Sequence, residues 1–365
     1  MKLKLIEFMK NNENWEQILR KAPYCLKIKR DDGYIILRYD QTASDFSEEM
    51  VREARGIIVR EDTLEVVCFP FVKFFNVDEP YADKIDWNTA QVQEKIDGSL
   101  IKVWCDKDKY GIPTWHISTN SMIDAFGAKI DSNITKYKTY GELFMSVFDN
   151  SYLTQMNMNY TYMFELVSPY NKVIVSYPIT DIYHIGTRNN KTGNELNSDI
   201  GIKKPKVFDL KTEQEVKNAA NALPFDDEGY VVVDANYNRV KIKSPAYVNA
   251  HKLVSDVAVN ESRVLDMIRK NETSEFLSYF PEFTKDIQEL EREYKKFLEK
   301  MRKKSETIIR LRDKRISRKD FALTVMRRYD DVADMAFLLY DGKVKDSKEF
   351  LENFSSKKIL ERMRR

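Results

Sequence analysis

Cysteine and histidine are scarce in this chain of 365 residues: Cys25, Cys68 and Cys105 stand far apart without Cys-x-x-Cys spacing, and only His116, His184 and His251 could join them as soft-metal ligands. A structural zinc site or a disulfide framework is therefore not expected, and reduced thiols in a cytoplasmic setting are the simpler reading. No run of 18 apolar residues occurs, and the opening MKLKLIEFMKNNENW meets charges before any long apolar stretch. Neither a membrane span nor an export signal is expected. Net charge is also missing. Lys+Arg of 60 against Asp+Glu of 58 leaves +2, so bulk electrostatics neither demands nor excludes a polyanionic partner, and the distribution of charge must decide. Internal repeats, low-complexity segments and long flexible linkers are absent too.

What is present is enough chain for two domains, since single cores rarely grow beyond about 250 to 300 residues. Hydrophobic residues at 42% promise an ample core. A change of pattern near residue 253 divides the chain into 1–253 and 254–365. Before it, β-branched and aromatic runs at 34–39, 56–60, 66–68, 100–104, 162–167, 173–177 and 230–234 read as strands between Asp, Asn, Gly and Pro clusters. Helical periodicity at 139–148 and 213–222 makes this part mixed. Beyond it, glycines almost vanish and Ile287, Leu290, Tyr294, Phe297, Leu298 and Met301 form one helical stripe, with Thr284 after Pro281 as N-cap. The fold class is α+β, followed by an all-helical second domain.

The tetrapeptide Lys95-Ile96-Asp97-Gly98 carries the first chemical signal. A lysine two residues before Asp-Gly can be the amine nucleophile of a nucleotidyl transferase, although such a pattern arises by accident in about one chain in ten of this length. An ammonium is no nucleophile, so this lysine must shed its proton near neutral pH, helped by neighbouring cations and partial burial. Candidates follow in a predicted hairpin, 230–233 and 239–243, turned by the Asn-rich 235–238. Alternation sends Val240 and Ile242 to one face and Lys241 and Lys243 to the other, about 7 Å apart. That pair can grip a triphosphate and stabilise a leaving pyrophosphate, or simply form a solvated lysine face.

Phosphate chemistry of this kind uses magnesium bound by a few oxygens. Glu165 lies inside the apolar run 162–167, where an unpaired charge is costly, so something should meet it. Glu228, just before the hairpin, is a second carboxylate for the same purpose. Each could equally be an ordinary salt-bridged side chain. Arg55 opens an apolar strand, where its guanidinium can hold phosphate or cap a sheet edge.

Order and context change the weight of these parts. Arg55-Gly56, Lys73-Phe74-Phe75-Asn76, Glu94-Lys95-Ile96-Asp97-Gly98-Ser99, Phe164-Glu165-Leu166-Val167, Glu228-Gly229-Tyr230 and Lys241-Ile242-Lys243-Ser244 occur in one series. The series resembles the covalent nucleotidyltransferases, the superfamily of polynucleotide ligases and messenger RNA capping enzymes. More narrowly it resembles the phage RNA ligase 1 family of tRNA-repair enzymes. The segment 168–177, Tyr247 and His251 add matching detail, and the resemblance covers roughly residues 34–252; 335–340 and Gly342 resemble the family's C-terminal region.

The resemblance implies an adenylyltransferase domain with antiparallel sheets, then a helical domain that helps recognise a folded RNA. Lys95 would attack the α-phosphate of ATP, forming lysyl-AMP. Lys241 and Lys243 would contact the nucleotide phosphates, with Arg55 and Lys73 binding ATP or orienting its triphosphate. Glu165 is expected at the ribose and Glu228 near the phosphates, both as ligands of Mg2+. Gly98 would allow close approach, Tyr39 and Phe75 match active-site aromatics, and Glu94 counts among the nucleotide-binding residues. AMP would pass to the 5′-phosphate of RNA, plausibly a cleaved tRNA, and a 3′-hydroxyl would displace it. A separate end-healing kinase-phosphatase, a monomeric state and a host cytoplasm for a phage-encoded enzyme complete the expectation.

The chain departs from the family at Ile117-Ser118-Thr119-Asn120-Ser121, where a basic residue is usual; His116 and Lys129 are the candidates to replace it. Between 302 and 319 the cations Arg302, Lys303, Lys304, Arg310, Arg312, Lys314, Arg315, Arg318 and Lys319 outnumber Glu306 and Asp313, and the 357–365 terminus is basic again. Such runs can follow an RNA backbone or form a solvated helix face. Two other readings stay open: a non-sealing RNA-binding relative, and another polynucleotide ligase or capping-type enzyme. The latter usually carry an OB-type barrel after the last lysine motif, which the helical sequence argues against.

Overall fold

Short apolar runs with period-two alternation bury one or both faces as sheets, and the first part of the chain builds three of them. A computed structural model describes residues 2–108, 110–130, 135–251, 261–270, 273, 277, 283–313, 316–352 and 354–364. It divides into two compact units, Met1–His251 and Lys252–Arg365. The first unit opens with helices α1 (Lys4–Asn11) and α2 (Trp15–Leu19) and strands β1 (Lys27–Asp31) and β2 (Tyr34–Arg38). Then come α3 (Glu49–Glu53), β3 (Arg55–Arg60), β4 (Val66–Cys68), β5 (Phe75–Asn76), β6 (Gln91–Glu94), β7 (Ser99–Lys107) and β8 (Pro113–Thr119). After α4 (Tyr140–Met145) follow β9 (Tyr160–Val167), β10 (Asp181–Asn189), β11 (Glu195–Leu196) and β12 (Val207–Phe208). Helix α5 (Glu213–Ala222) precedes the hairpin β13 (Gly229–Val233) and β14 (Arg239–Lys243).

The first sheet has the order β1-β2-β3-β4, the second β11-β10-β9-β7-β8, the third β12-β6-β13-β14-β5. Alternation in the first sheet sends Ile35, Leu37, Ile57 and Val59 onto Leu5, Met9, Leu19 and Val51 of its three helices. Its other face puts Ile36, Ile58 and Cys68 against Trp104 of the second sheet. The second sheet buries Ile101, Val103, Phe164 and Leu166 under Leu143 and Phe144 of α4. In the third sheet Val92, Val232, Val240 and Ile242 pack on Val216 and Ala220 of α5, which leaves Lys241 and Lys243 on the opposite face. A bidentate pair from Arg239 to Glu195, at 3.0 and 2.9 Å, ties this third sheet to β11.

Pairing is antiparallel throughout these ladders except between β14 and β5, which run parallel with Lys241 opposite Asn76. That exception carries Lys73 toward Lys241. The expected strand at 173–177 is a loop. The amides of Ile174 and Val175 donate instead to the Asp97 carboxylate at 3.0 and 2.9 Å, so the β-branched run spends its donors on a side chain rather than on a neighbouring strand.

The second unit is helical among its described residues. A 30-residue helix, Thr284–Asp313, packs with the helices Glu261–Lys270, Ala333–Tyr340, Ser347–Glu352 and Ser356–Met363. Ile287, Leu290, Phe297 and Met301 are buried along its stripe. Thr284 is its first helical residue rather than its cap; Pro281 lies outside the described residues. Among the described residues no helix is long and apolar enough to cross a membrane.

Candidate active site

Lys95 follows β6 directly, and its amide donates to the Gly229 carbonyl at 2.9 Å, which seats the Lys-x-Asp-Gly loop on the hairpin. Two further ties fix that loop. Asp97 is buried and accepts, besides the two loop amides, the Tyr247 hydroxyl at 2.9 Å. Gly98 leaves no room for a side chain, since a Cβ there would lie 2.4 Å from the Leu166 carbonyl. The close approach that Gly98 permits is thus that of strand β9, which brings Glu165 alongside.

With the loop so held, Lys95 Nζ donates to Glu228 Oε2 at 2.7 Å and Lys243 Nζ meets Glu228 Oε1 at 2.7 Å. Burial works against the charge on Glu228, but the pull of Lys95 and Lys243 outweighs it and holds the carboxyl below the usual range. Lys241 has no carboxylate partner among the described residues. Burial lowers its ammonium to about 8, and the nearby charges of Lys73, Lys243 and Lys95 push the same way.

Lys73 sits in an aromatic cage, its Nζ 5.1 Å from the Tyr39 ring, 4.5 Å from Phe46 and 5.4 Å from Phe75. Burial lowers its ammonium as well, with Arg55 and Lys243 adding repulsion. Tyr39 and Phe75 are thus placed as walls of the Lys73 cage. Arg55 lies over the Phe74 ring at 5.2 Å and donates one long bond, 3.5 Å, to the Phe71 carbonyl.

The carboxylate of Glu165 meets no hydrogen-bond donor among the described residues, contrary to the expectation that something would pair with it. Burial raises it to about 7 against the attraction of Lys95. The unfolded chain loses this proton near 4.5 and the folded one near 7, so stability falls as pH rises between those values and then levels off. Glu165→Gln removes that fall. It should be more stable than the parent by up to about 3 kcal/mol at pH 8 and equal to it near pH 4, a difference that urea denaturation at the two pH values measures.

One expected residue stands apart. Register pairs Glu94 with Tyr230, on the strand face of Val92 that packs toward α5, away from Lys241 and Lys243. Groups of three or more His, Cys, Asp or Glu able to hold a metal are absent among the described residues. Glu165, with no donor on it among the described residues, fits one carboxylate ligand of a divalent ion, whereas both oxygens of Glu228 are engaged until an ammonium leaves. What the cluster can do is bind polyanion: Lys95, Lys243, Lys241, Lys73 and Arg55 converge around two carboxylates.

The sequence signature of a family described as RNA ligase matches residues 53–247, from just before Arg55 to Tyr247. The chain belongs to the RNA ligase family. A protein of Autographa californica nuclear polyhedrosis virus, described as a bifunctional polynucleotide kinase/RNA ligase, is 30% identical over 71% of this chain and 39% of its own length. An RNA ligase of Rhodothermus phage RM378 is 25% identical over 89% of this chain and 90% of its own. RNA ligase 1 of Bacteriophage TS2126 is 27% identical over 49% and 45%. The chain thus spans less than half of the viral kinase/ligase and of the TS2126 protein, and most of the RM378 one.

In this RNA ligase family member neither candidate for the missing cation reaches the cluster. His116 stacks on Trp104 at 4.3 Å between the first two sheets, and Lys129 is exposed on a bridge to Thr139. The segment instead brings Asn120 beside Gly56 and Lys102. Lys102 was legible only as a lone lysine in the apolar run 100–104, the same signal that marked Glu165. In the second unit, Arg302 pairs with Glu299 and Glu306, Lys304 with Asp331 and Arg318 with Asp341. Exposed pairs of this kind are worth about 0–1 kcal/mol, so they do not bar exchange for phosphate. Lys314, Arg315 and Arg365 lie outside the described residues.

Proposed function

We propose that the chain is an ATP-dependent RNA ligase that joins a 5′-phosphate to a 3′-hydroxyl through lysyl-AMP and an adenylylated RNA end. The observation that carries this reading is Lys95 held against Glu228 at 2.7 Å inside a ring of cations, in the stretch that matches the family. In the first step Lys95 Nζ attacks the α-phosphorus of ATP; the bond to the β-phosphate breaks and pyrophosphate leaves. The ammonium must first lose a proton, and Glu228 Oε2 is the acceptor in contact once bound polyphosphate draws Lys243 away and relieves the pull that holds the carboxyl below its usual range. Lys241, Lys73 and Arg55 offer positive charge to the polyphosphate and the departing pyrophosphate. Lys243, released from Glu228, can follow the same charge.

Glu165, without a hydrogen-bond partner among the described residues, suits a ribose hydroxyl or a metal. A divalent ion, magnesium by resemblance, would be held by Glu165 and Glu228 with phosphate oxygens and would neutralise phosphate charge. Next the 5′-phosphate of RNA attacks the adenylate, breaking the N–P bond and freeing Lys95. Finally the 3′-hydroxyl attacks that 5′-phosphorus and AMP leaves. Both later steps depend on positioning and charge neutralisation.

For the physiological substrate we favour a cleaved tRNA, with the helical unit binding its folded part. A kinase that prepares the ends is a fitting partner, since the viral relative is described as joining that activity to a ligase. The test is incubation with α-labelled ATP and magnesium, then with RNA bearing a 5′-phosphate. A labelled protein band that RNA discharges, with joined product, supports the reading; an AMP-free preparation that neither takes up label nor joins ends overturns it. Comparing a cleaved tRNA with an unstructured oligonucleotide decides the substrate.

A further inference from the structure

Lys102 presents a problem in energetics. It stands in β7 between Ile101 and Val103 and is 0% exposed. No carboxylate pairs with it among the described residues, so its ammonium carries a desolvation cost of several kcal/mol with no ionic compensation. Burial lowers it to about 8. Replacing a buried charge by an apolar side chain of similar length is often neutral for stability, so stability alone is a weak reason for a lysine here.

The contact it does make is specific. The β2–β3 register pairs Leu37 with Ile57 and Arg38 with Arg55, so Gly56 is an extra residue, a bulge. Gly56 has φ +81°, and a Cβ there would lie 2.8 Å from the Asn120 carbonyl and 3.2 Å from Lys102 Nζ. Lys102 Nζ donates to the Gly56 carbonyl at 2.5 Å. Asn120 Oδ1 is buried beside this knot with no hydrogen-bond partner among the described residues. A bulge re-aims the side chains next to it, and the neighbour here is Arg55. Among the described residues Arg55 is otherwise steered only by a ring face and one 3.5 Å bond. The charges on Lys102 and Arg55 also repel, which biases the guanidinium away from the buried amine.

We infer that Lys102 is a positioning residue: by gripping the Gly56 carbonyl it fixes the β3 bulge and aims Arg55 at the phosphates of bound ATP. The inference rests on the ligase reading for the identity of the nucleotide. Because Lys102 acts through Arg55, the two should not contribute independently.

A double-mutant cycle tests this by calorimetric ATP affinity with the full chain. Lys102→Met should weaken ATP binding about ten-fold, the worth of about 1.4 kcal/mol, with no fall in Tm. Arg55→Ala should weaken it at least as much, and adding Lys102→Met to Arg55→Ala should cost less than about two-fold more. Unchanged affinity in a folded Lys102→Met protein overturns the inference, as does full additivity with Arg55→Ala. A lower Tm with parental affinity would mark Lys102 as a structural tie alone and overturns it too. Label uptake by the parent protein is scored separately. If ATP binds but no adduct forms, the ligase reading fails while the cycle still decides Lys102; if the parent binds no ATP, both fail.

Discussion

Lys95→Ala should abolish adenylylation: with α-labelled ATP the variant takes up no label where the parent gives one labelled band, because the proposed N–P bond forms on the Lys95 amine. Mass spectrometry of the parent should place the added AMP on Lys95. The variant should remain folded. Glu228 keeps Lys243 at 2.7 Å as its partner, so the loss of stability should be no more than about 1–2 kcal/mol. It should also retain measurable joining of RNA whose 5′ end is already adenylylated, since the final step has the 3′-hydroxyl as nucleophile. Label on another side chain, or parental label in the variant, would remove the foundation of the proposed mechanism.

Glu228→Gln should be nearly as severe by a different route. The amide keeps the shape but leaves two ammoniums, Lys95 and Lys243, facing a neutral group in a half-buried site. Breaking a buried pair costs about 3–5 kcal/mol, and the partial exposure of both lysines places this one at the low end. Label uptake should fall by about 10²–10⁴-fold, the usual worth of a positioned proton acceptor. The pH dependence follows from the depressed carboxyl of Glu228. Its contribution to stability is full above the unfolded value, near 4.5, and is lost as pH falls through the lower folded value. The parent should therefore approach the variant in stability as pH is lowered from 7 to 3, which urea titrations at both ends would show. A variant labelled at the parental rate would show that Lys95 loses its proton elsewhere.

Much of this site could be read along the chain. The Lys-x-Asp-Gly loop, the Lys-x-Lys alternation and the lone glutamate in an apolar strand are local patterns, and local patterns survive without coordinates. Glu94 shows the limit of such reading. Adjacent in sequence to Lys95, it falls on the face of the sheet turned away from Lys241 and Lys243, because strand alternation separates neighbours. The run at 173–177 shows another limit: its composition favours a strand, but Asp97, some 77 residues earlier, supplies a stronger use for its amides. The basic stretch of the second unit shows a third, since its partners Asp331 and Asp341 are brought to it only by helix packing.

By itself the sequence determined membership of the family and the division into a mixed and a helical part, and it singled out the lysine proposed as nucleophile and the cations proposed to serve it. These depend on residue type and short-range period, which the chain states directly. Tertiary structure alone decided that Glu228 is shared by two ammoniums, that Glu165 has no hydrogen-bond partner among the described residues, that a parallel strand delivers Lys73 in its aromatic cage, and that Lys102 grips the bulge behind Arg55. Each of these depends on register, burial and the meeting of segments tens to more than a hundred residues apart. Those quantities are set by how sheets pack, and no local pattern encodes them.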